Sequence, residues 1–336
     1  MAEYAVVAEG LVKKFGNLTA VAGVSFKVRY GEIFGFLGPN GAGKTTTIHM
    51  LATLLRPTAG DAWVAGHHVV REPGAVRRSI GVVFQDPSLD SELTAYENMF
   101  IHGKIYGMGG EELRYRIEEM LRFVELYEHR NRLVKYFSGG MRRRLEIARA
   151  LLHEPKVLFL DEPTLGLDPQ TRAHIWGYIR RLRDKERVTI FLTTHYMDEA
   201  EELCDRLAII DHGRIIAEGT TDQLKRLVGS DVIYLRVRAV NGAPNSCDAL
   251  NAPPAMECRP VREGMVALKV SDATQAIPVI LERAAASGLK VAEVSYRKPT
   301  LNDVFLHLTG REIREEGGSE ADFLKHIIRM RRLRRR

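Results

Sequence analysis

The sequence predicts an α/β fold with a largely parallel core sheet, followed by a small α+β domain. Two observations carry this. Short apolar runs that read as buried strands (Ile33–Leu37, Ile80–Phe84, Val157–Leu160, Thr189–Leu192, Leu207–Ile210) alternate with segments whose apolar residues recur every three or four positions. Around Leu227–Ser230 the character changes, and alternating strands surround a helix instead.

In order along the chain, Ala5–Phe15 and Thr19–Val28 carry alternating or continuous Val, Leu and Phe and read as strands. Ile33–Leu37 runs directly into Gly38–Thr45, and Thr46–Leu55 has helical spacing that stops before Arg56-Pro57. From Ser91 to His153 the pattern is helical, with Tyr96–Tyr106, Glu111–Leu126 and Met141–Leu152 amphipathic. Thr171–Arg183 and Asp198–Cys204 are helices between the later strands. Beyond Ser230, Val232–Val240, Met265–Val270 and Lys290–Ser295 read as strands, and Ala273–Ser287 and Leu301–Leu308 as helices. Asn241–Gly264, rich in Pro, Asn, Gly and Ala, reads as a long loop. The expected domains are 1–228, with a helical part at about 89–153, then 229–312, then a basic tail at 313–336.

The 336 residues are 45% hydrophobic and 27% charged, which argues against a disordered or fibrous chain. Cys204, Cys247 and Cys258 make a poor disulfide framework and lack CxxC spacing, so reduced thiols are expected and a structural zinc site is not. Met1–Gly10 lacks the basic start and apolar run of a signal peptide, and no stretch is apolar enough to cross a bilayer. His67-His68 and the other histidines outside the motifs below fit no metal spacing and read as surface or packing residues.

Gly38-Pro39-Asn40-Gly41-Ala42-Gly43-Lys44-Thr45 matches G-x-x-x-x-G-K-[ST], with a strand before it and a helix, beginning near Thr46, after it. The glycines let backbone N–H groups turn inward around phosphate oxygens, and the helix start adds partial positive charge. Lys44 is expected to reach the β/γ-phosphates and Thr45 to ligate magnesium. Asp161-Glu162 ends the apolar run Val157–Leu160, where packing alone gives no reason for paired acids. Asp161 suits a magnesium partner, and Glu162 can take a proton from an attacking water. Ser138-Gly139-Gly140 opens the basic helix Arg142-Arg143-Arg144-Leu145-Glu146 and can form a second anion-binding helix end; on spacing alone a simple N-cap is the better reading.

These motifs, in this order across roughly residues 4 to 226, resemble the nucleotide-binding subunit of ATP-binding cassette transporters. Gly38–Thr45 resembles the Walker A motif, Val157–Glu162 Walker B, Ser138-Gly139-Gly140 the signature, Gln85 the Q-loop glutamine, Pro163–Asp168 the D-loop and His195 the switch histidine. The resemblance implies a P-loop NTPase with a mixed, largely parallel core sheet, an antiparallel β subdomain, a helical signature subdomain and the small C-terminal α+β domain. It also implies ATP and Mg²⁺ as ligands, with Thr45, Gln85 and Asp161 toward the metal and Glu162, His195, Gln85 and Lys44 at the reacting phosphate. A homodimer would sandwich two ATP molecules, Ser138 and Gly140 meeting the opposite P-loop. Phe15 takes the place of the aromatic that stacks on adenine; by itself it is equally a core residue at a strand end. Phe137 and Met141 depart from the Leu and Gln of the usual signature. The ending Thr300–Glu312 and the segment Tyr136–Leu145 are similar to ATPase subunits of drug exporters of the daunorubicin-resistance type.

The implied function is an ATPase on the cytoplasmic membrane face that powers export through a separate integral membrane permease. An importer ATPase with a C-terminal regulatory domain is the alternative. A cassette protein acting on ribosomes or nucleic acid is a further one, weakened by the single P-loop and by the charge distribution. Of 49 Lys+Arg, seven lie in Phe323–Arg336, leaving 42 against 43 acids before it, so the net +6 belongs to the tail. That tail has an apolar stripe among its arginines, which suits an anionic membrane surface, or it is a solubilising tail.

Overall fold

Residues 3–228, 231–239, 246–262 and 264–309 are described in the computed structural model. They form two units, one running to Thr221 and one beginning at Asp222.

In the first unit, β1 (Tyr4–Phe15) and β2 (Leu18–Arg29) pair antiparallel, and β2 alternates buried and exposed residues from Val24 to Arg29, as expected of a strand with one wet face. β3 (Ile33–Leu37) is buried along its whole length and feeds α1 (Lys44–Leu51) through the Gly38 loop. β4 (Ala59–Val64) and β5 (His67–His68) complete a four-stranded antiparallel sheet of order β2-β1-β4-β5. In β5, His68 is buried with its Nε2 2.8 Å from Asp61 Oδ1, a packing role. After α2 (Pro73–Ser79) and β6 (Ile80–Val83) come three helices: α3 (Ala95–Ile105), α4 (Gly110–Phe123) and α5 (Gly139–Leu151). A capping box of Thr94 and Glu97 starts α3. The helix α4 stops three residues before the sequence predicts, and Glu125 just beyond it has φ +57°, a left-handed turn that helix geometry does not continue.

β7 (Val157–Asp161), α6 (Pro169–Glu186), β8 (Thr189–Thr194), α7 (Met197–Leu203), β9 (Arg206–Asp211) and β10 (Arg214–Gly219) follow. The six-stranded sheet has the order β10-β9-β3-β8-β7-β6, parallel from β9 to β6 with β10 antiparallel at the edge. Its apolar face packs on the antiparallel sheet through Phe26, Phe34, Phe36, Phe159 and Phe191, whose neighbouring rings lie 5.4–5.8 Å apart. Each buried ring contributes about 2–3 kcal/mol. This packing holds the ends of β3, β7 and β8 in a fixed relation, and those ends carry the site.

In the second unit, α8 (Thr221–Val228) leads into β11 (Asp231–Ala239), α9 (Ser246–Leu250), β12 (Ala255–Arg262), β13 (Met265–Val270), α10 (Ala273–Ala286), β14 (Leu289–Arg297) and α11 (Leu301–Thr309). The β-α-β-β-α-β succession with sheet order β12-β13-β11-β14, all antiparallel, is the ferredoxin-like arrangement. Ile233, Leu235, Leu268 and Val270 of the sheet pack on Ala276, Ile280 and Ala284 of α10.

Two expectations fail here. Asn241–Gly264 is not one long loop, because it contains α9 and β12. β12 is an edge strand with pairing irregularities at Ala255/Glu257 and Pro260/Arg262, which erase the two-residue alternation that marks a strand. The thiols of Cys247 and Cys258 are not free but joined in a disulfide, with Cα atoms 5.4 Å apart; only α9 and β12 together bring them within reach. Cys204 is free and buried. Among the described residues no helix is long and apolar enough to cross a membrane. The basic tail expected at 313–336 lies outside the described residues.

Candidate nucleotide site

The site forms where three parallel strands end side by side. Leu37 of β3 is level with Thr194 of β8, and Thr193 is level with Asp161 of β7. Ligands of open parallel sheets sit at this carboxyl edge. From Gly38 the chain turns so tightly that a Cβ there would lie 2.2 Å from Ile210 O, and one on Gly43 (φ +102°) 2.5 Å from Ala20 O. These two glycines are therefore fixed by backbone geometry. Asn40 and Gly41 are exposed at the loop tip, Pro39 is half-buried, and Ala42 and Thr46 are buried beneath it.

Lys44, the first residue of α1, is 3% exposed. Its Nζ donates to Gly38 O at 2.7 Å and Pro39 O at 3.0 Å, and lies 3.1 Å from Glu162 Oε1. The other oxygen, Glu162 Oε2, is 3.2 Å from His195 Nδ1. Burial raises the proton affinity of the Glu162 carboxyl, but His195 and Lys44 more than offset this and hold its pKa below the ordinary value. Glu162 is thus an ionised carboxylate between two basic groups.

Asp161, 1% exposed, has its pKa raised by burial; the hydroxyls of Thr193 and Thr45 act in the opposite direction. Thr193 donates to Asp161 Oδ1, while Oδ2 is buried without a hydrogen-bond partner. An unpartnered carboxylate oxygen beside a threonine hydroxyl is a donor set that fits a hard divalent cation, which prefers oxygen ligands. Thr45 and Asp161 would hold such an ion, and it would neutralise phosphate charge.

The structure therefore brings together Lys44, Thr45, Asp161, Glu162 and His195, five residues taken from three separate stretches of sequence. The remaining candidates stand on other elements. Gln85 is half-buried just after β6. Ser138 is the N-cap of α5, its Oγ accepting from Met141 N at 3.3 Å. Gly139 and Gly140 open that helix, and a Cβ on Gly140 would meet Thr171 Cγ2 at 2.4 Å, so a larger residue there would have to displace the Thr171 side chain. Phe15 is half-buried at the end of β1 with Lys13 Nζ 5.1 Å from its ring centre. Sequence reasoning passed over Thr193, which holds both Asp161 and the Glu162 amide, and Arg143, which is buried against the Glu162 backbone. Threonine in a buried strand reads as β-propensity, and Arg143 is hidden in a run of three arginines.

Comparison with known proteins agrees with this geometry. Residues 21–165 match the family model described as ABC transporter, and residues 219–309 match that of the ATP-binding protein DrrA1-3-like, C-terminal domain. The chain is 41% identical over 314 residues to the daunorubicin resistance ATP-binding protein DrrA3 of Streptomyces coeruleorubidus, covering 94% of this chain and 98% of that protein. It is also 41% identical over 314 residues to the Nod factor export ATP-binding protein I of Rhizobium sp. (strain N33), covering 93% and 99%. The dimeric post-hydrolysis structure of the ATP-binding cassette MJ0796 with ADP and Pi is similar at TM-score 0.58 and 30% identity, covering 64% of this chain and 98% of that one. CbiO1 of Clostridium perfringens is similar at TM-score 0.62 and 29% identity, covering 67% and 93%. Motif, strand-end geometry and full-length similarity converge: the chain belongs to the ATP-binding subunits of ABC transporters and is an ABC-type ATPase of the branch that carries the DrrA-like C-terminal domain.

Proposed function

We propose that this ATPase powers export of a drug, antibiotic or lipid-like compound through a separate membrane permease, working as a homodimer with Mg²⁺-ATP at each site. The observation that supports hydrolysis is the Lys44–Glu162–His195 cluster beside the unpartnered oxygen of Asp161. The export reading rests on relatives whose names are resistance and export proteins and whose similarity spans the C-terminal domain as well.

Lys44 holds Glu162 and two carbonyls of its own loop. A bound γ-phosphate competes for the same ammonium. When Lys44 turns to phosphate, Glu162 loses a lowering influence while its burial remains, so its affinity for a proton rises. That change favours general-base action at the moment a water is in place. His195 keeps one side of Glu162 oriented, and Gln85 reports water and metal at the same phosphate. Ser138, Gly139 and Gly140 close the site from the opposite subunit, and Phe15 stacks on the base. Rate enhancement then comes from position and charge around the phosphate.

Inside-out vesicles from cells expressing the chain and its permease test this reading. ATP-dependent accumulation of daunorubicin or a related amphipathic compound, lost with Lys44→Ala, is the expected result. Transport in the opposite sense would overturn export in favour of import, and association with ribosomes in place of membrane would overturn transport altogether.

We assign the basic tail Phe323–Arg336 to an anionic membrane surface. Flotation with phosphatidylglycerol liposomes is expected to fall when those residues are deleted and to weaken with salt. Binding that survives deletion unchanged would remove that role.

A further inference from the structure

Three consecutive arginines open the helix α5, and their guanidinium groups go to three different places. Arg142 donates to Lys135 O, and Arg144 to Val124 O and the Tyr178 hydroxyl. Arg143 turns inward and is 7% exposed. It donates through Nε to Pro163 O (2.7 Å), through Nη2 to Glu162 O (3.1 Å), and through Nη1 to Phe84 O (2.6 Å) and Glu146 Oε2 (3.1 Å). Glu146, also buried, accepts from Ser88 N at 2.8 Å with its other oxygen. Two turns along from Arg143, Arg149 donates to Ser88 O at 2.8 Å.

These contacts share a logic. β6 ends at Val83 and β7 at Asp161, so the carbonyls of Phe84, Glu162 and Pro163 lie just past their ladders; Glu162 O also accepts from Leu165 N at 3.2 Å, and Arg143 is the side chain that donates to all three. One planar guanidinium supplies all three from three different nitrogens, a spread that the three N–H groups on the single nitrogen of an ammonium do not reproduce. The same face of α5 grips both sides of Gln85, at Phe84 and at Ser88. Glu162 itself has φ +46°, a left-handed conformation that strains a non-glycine residue and persists only where its surroundings impose it. Here both ends of the residue are held: its N–H donates to Thr193 O at 3.1 Å, and its carbonyl accepts from Arg143.

We propose that Arg143, with Glu146 as its buried counter-ion, is a positioning residue that fixes the Glu162 backbone and the Gln85 segment to the signature helix, so that a shift of α5 is carried to the hydrolytic carboxylate. The inference rests on the reading of Glu162 as the group that polarises water. Arg143 acts through the backbone of Glu162 and not on the nucleotide, and Lys44 and the glycine loop are left intact by its removal.

The test uses the full-length chain carrying Arg143→Lys, which keeps the charge but cannot reach three carbonyls at once. Melting temperature, affinity for a fluorescent ATP analogue, KM and kcat are measured together. The expected result is a fall in kcat of roughly a hundredfold, the scale that a misplacement of about 1 Å produces, with KM and analogue affinity at the parent values. A folded Arg143→Lys chain with the parent kcat would overturn the proposal. Should that variant not fold, Arg143→Gln with Glu146→Gln removes both buried charges together and leaves no unpaired ion. The same split between kcat and KM is expected there, and an unchanged kcat again overturns the proposal. Glu162→Gln run in parallel separates the two readings. If it keeps full turnover, the role of Glu162 itself is lost; if it is inactive while Arg143→Lys turns over normally, only the positioning role is lost.

Discussion

Replacing Glu162 by glutamine lowers kcat for ATP hydrolysis by roughly two to four orders of magnitude, the usual worth of a positioned general base, while ATP affinity is kept. The amide is nearly isosteric and can still accept from Lys44 at 3.1 Å, so the loop that holds phosphate is undisturbed. What it cannot do is take a proton from water. Neutralising a carboxylate whose pKa is held below the ordinary value removes that stabilisation and leaves the buried Lys44 without its charged partner, so the variant is expected to melt lower than the parent. Steady-state phosphate release and equilibrium ATP binding, measured on one preparation, separate the two effects. Parent-like turnover would remove Glu162 from the reaction.

Lys44→Ala acts on binding. The ammonium is 4% exposed in its side chain and points at the loop that receives phosphate, so its loss is expected to weaken ATP binding roughly a hundredfold, about 3 kcal/mol, as truncating one partner of a buried charge pair does. The ligand-free chain is affected too. Glu162 is held ionised by His195 and Lys44 against burial, and a carboxyl with a depressed pKa contributes stability above its unfolded pKa that is lost as pH falls through the folded value. Without Lys44 the folded pKa rises, so stability at neutral pH drops and acid unfolding begins at a higher pH. Titration calorimetry with ATP and melting curves across pH 4–8 read the two effects; unchanged affinity would contradict the assignment of Lys44.

Much of the site was legible because its chemistry constrains local sequence. A loop so close to β9 that a Cβ on Gly38 would lie 2.2 Å from Ile210 O, and that adopts φ +102° at Gly43, has to be glycine at both, and the lysine and threonine that follow sit at fixed offsets. Paired acids after a fully buried strand are equally local. Contacts made across the fold were not legible. Arg143 differs from Arg142 and Arg144 only in which way α5 faces, and that is set by packing against residues 84, 88, 162 and 163. The positive φ of Glu162 has no sequence mark at all, since the residue type is chosen for its carboxylate. In the second unit, β13 alternates cleanly and was found, whereas the edge strand β12 carries Pro260 and two irregular pairings and was missed, and the Cys247–Cys258 bond with it.

In the proposed homodimer, Lys44 and Glu162 serve one phosphate and Ser138, the N-cap of α5, serves the site of the opposite subunit, so the complete site is a product of two chains. The nucleotide recovered from the Glu162→Gln chain after incubation with Mg²⁺-ATP and size separation tests this most directly. The account predicts a dimer that retains uncleaved ATP, one per chain. A chain that stays monomeric with ATP bound, or a dimer whose nucleotide is ADP, would contradict it.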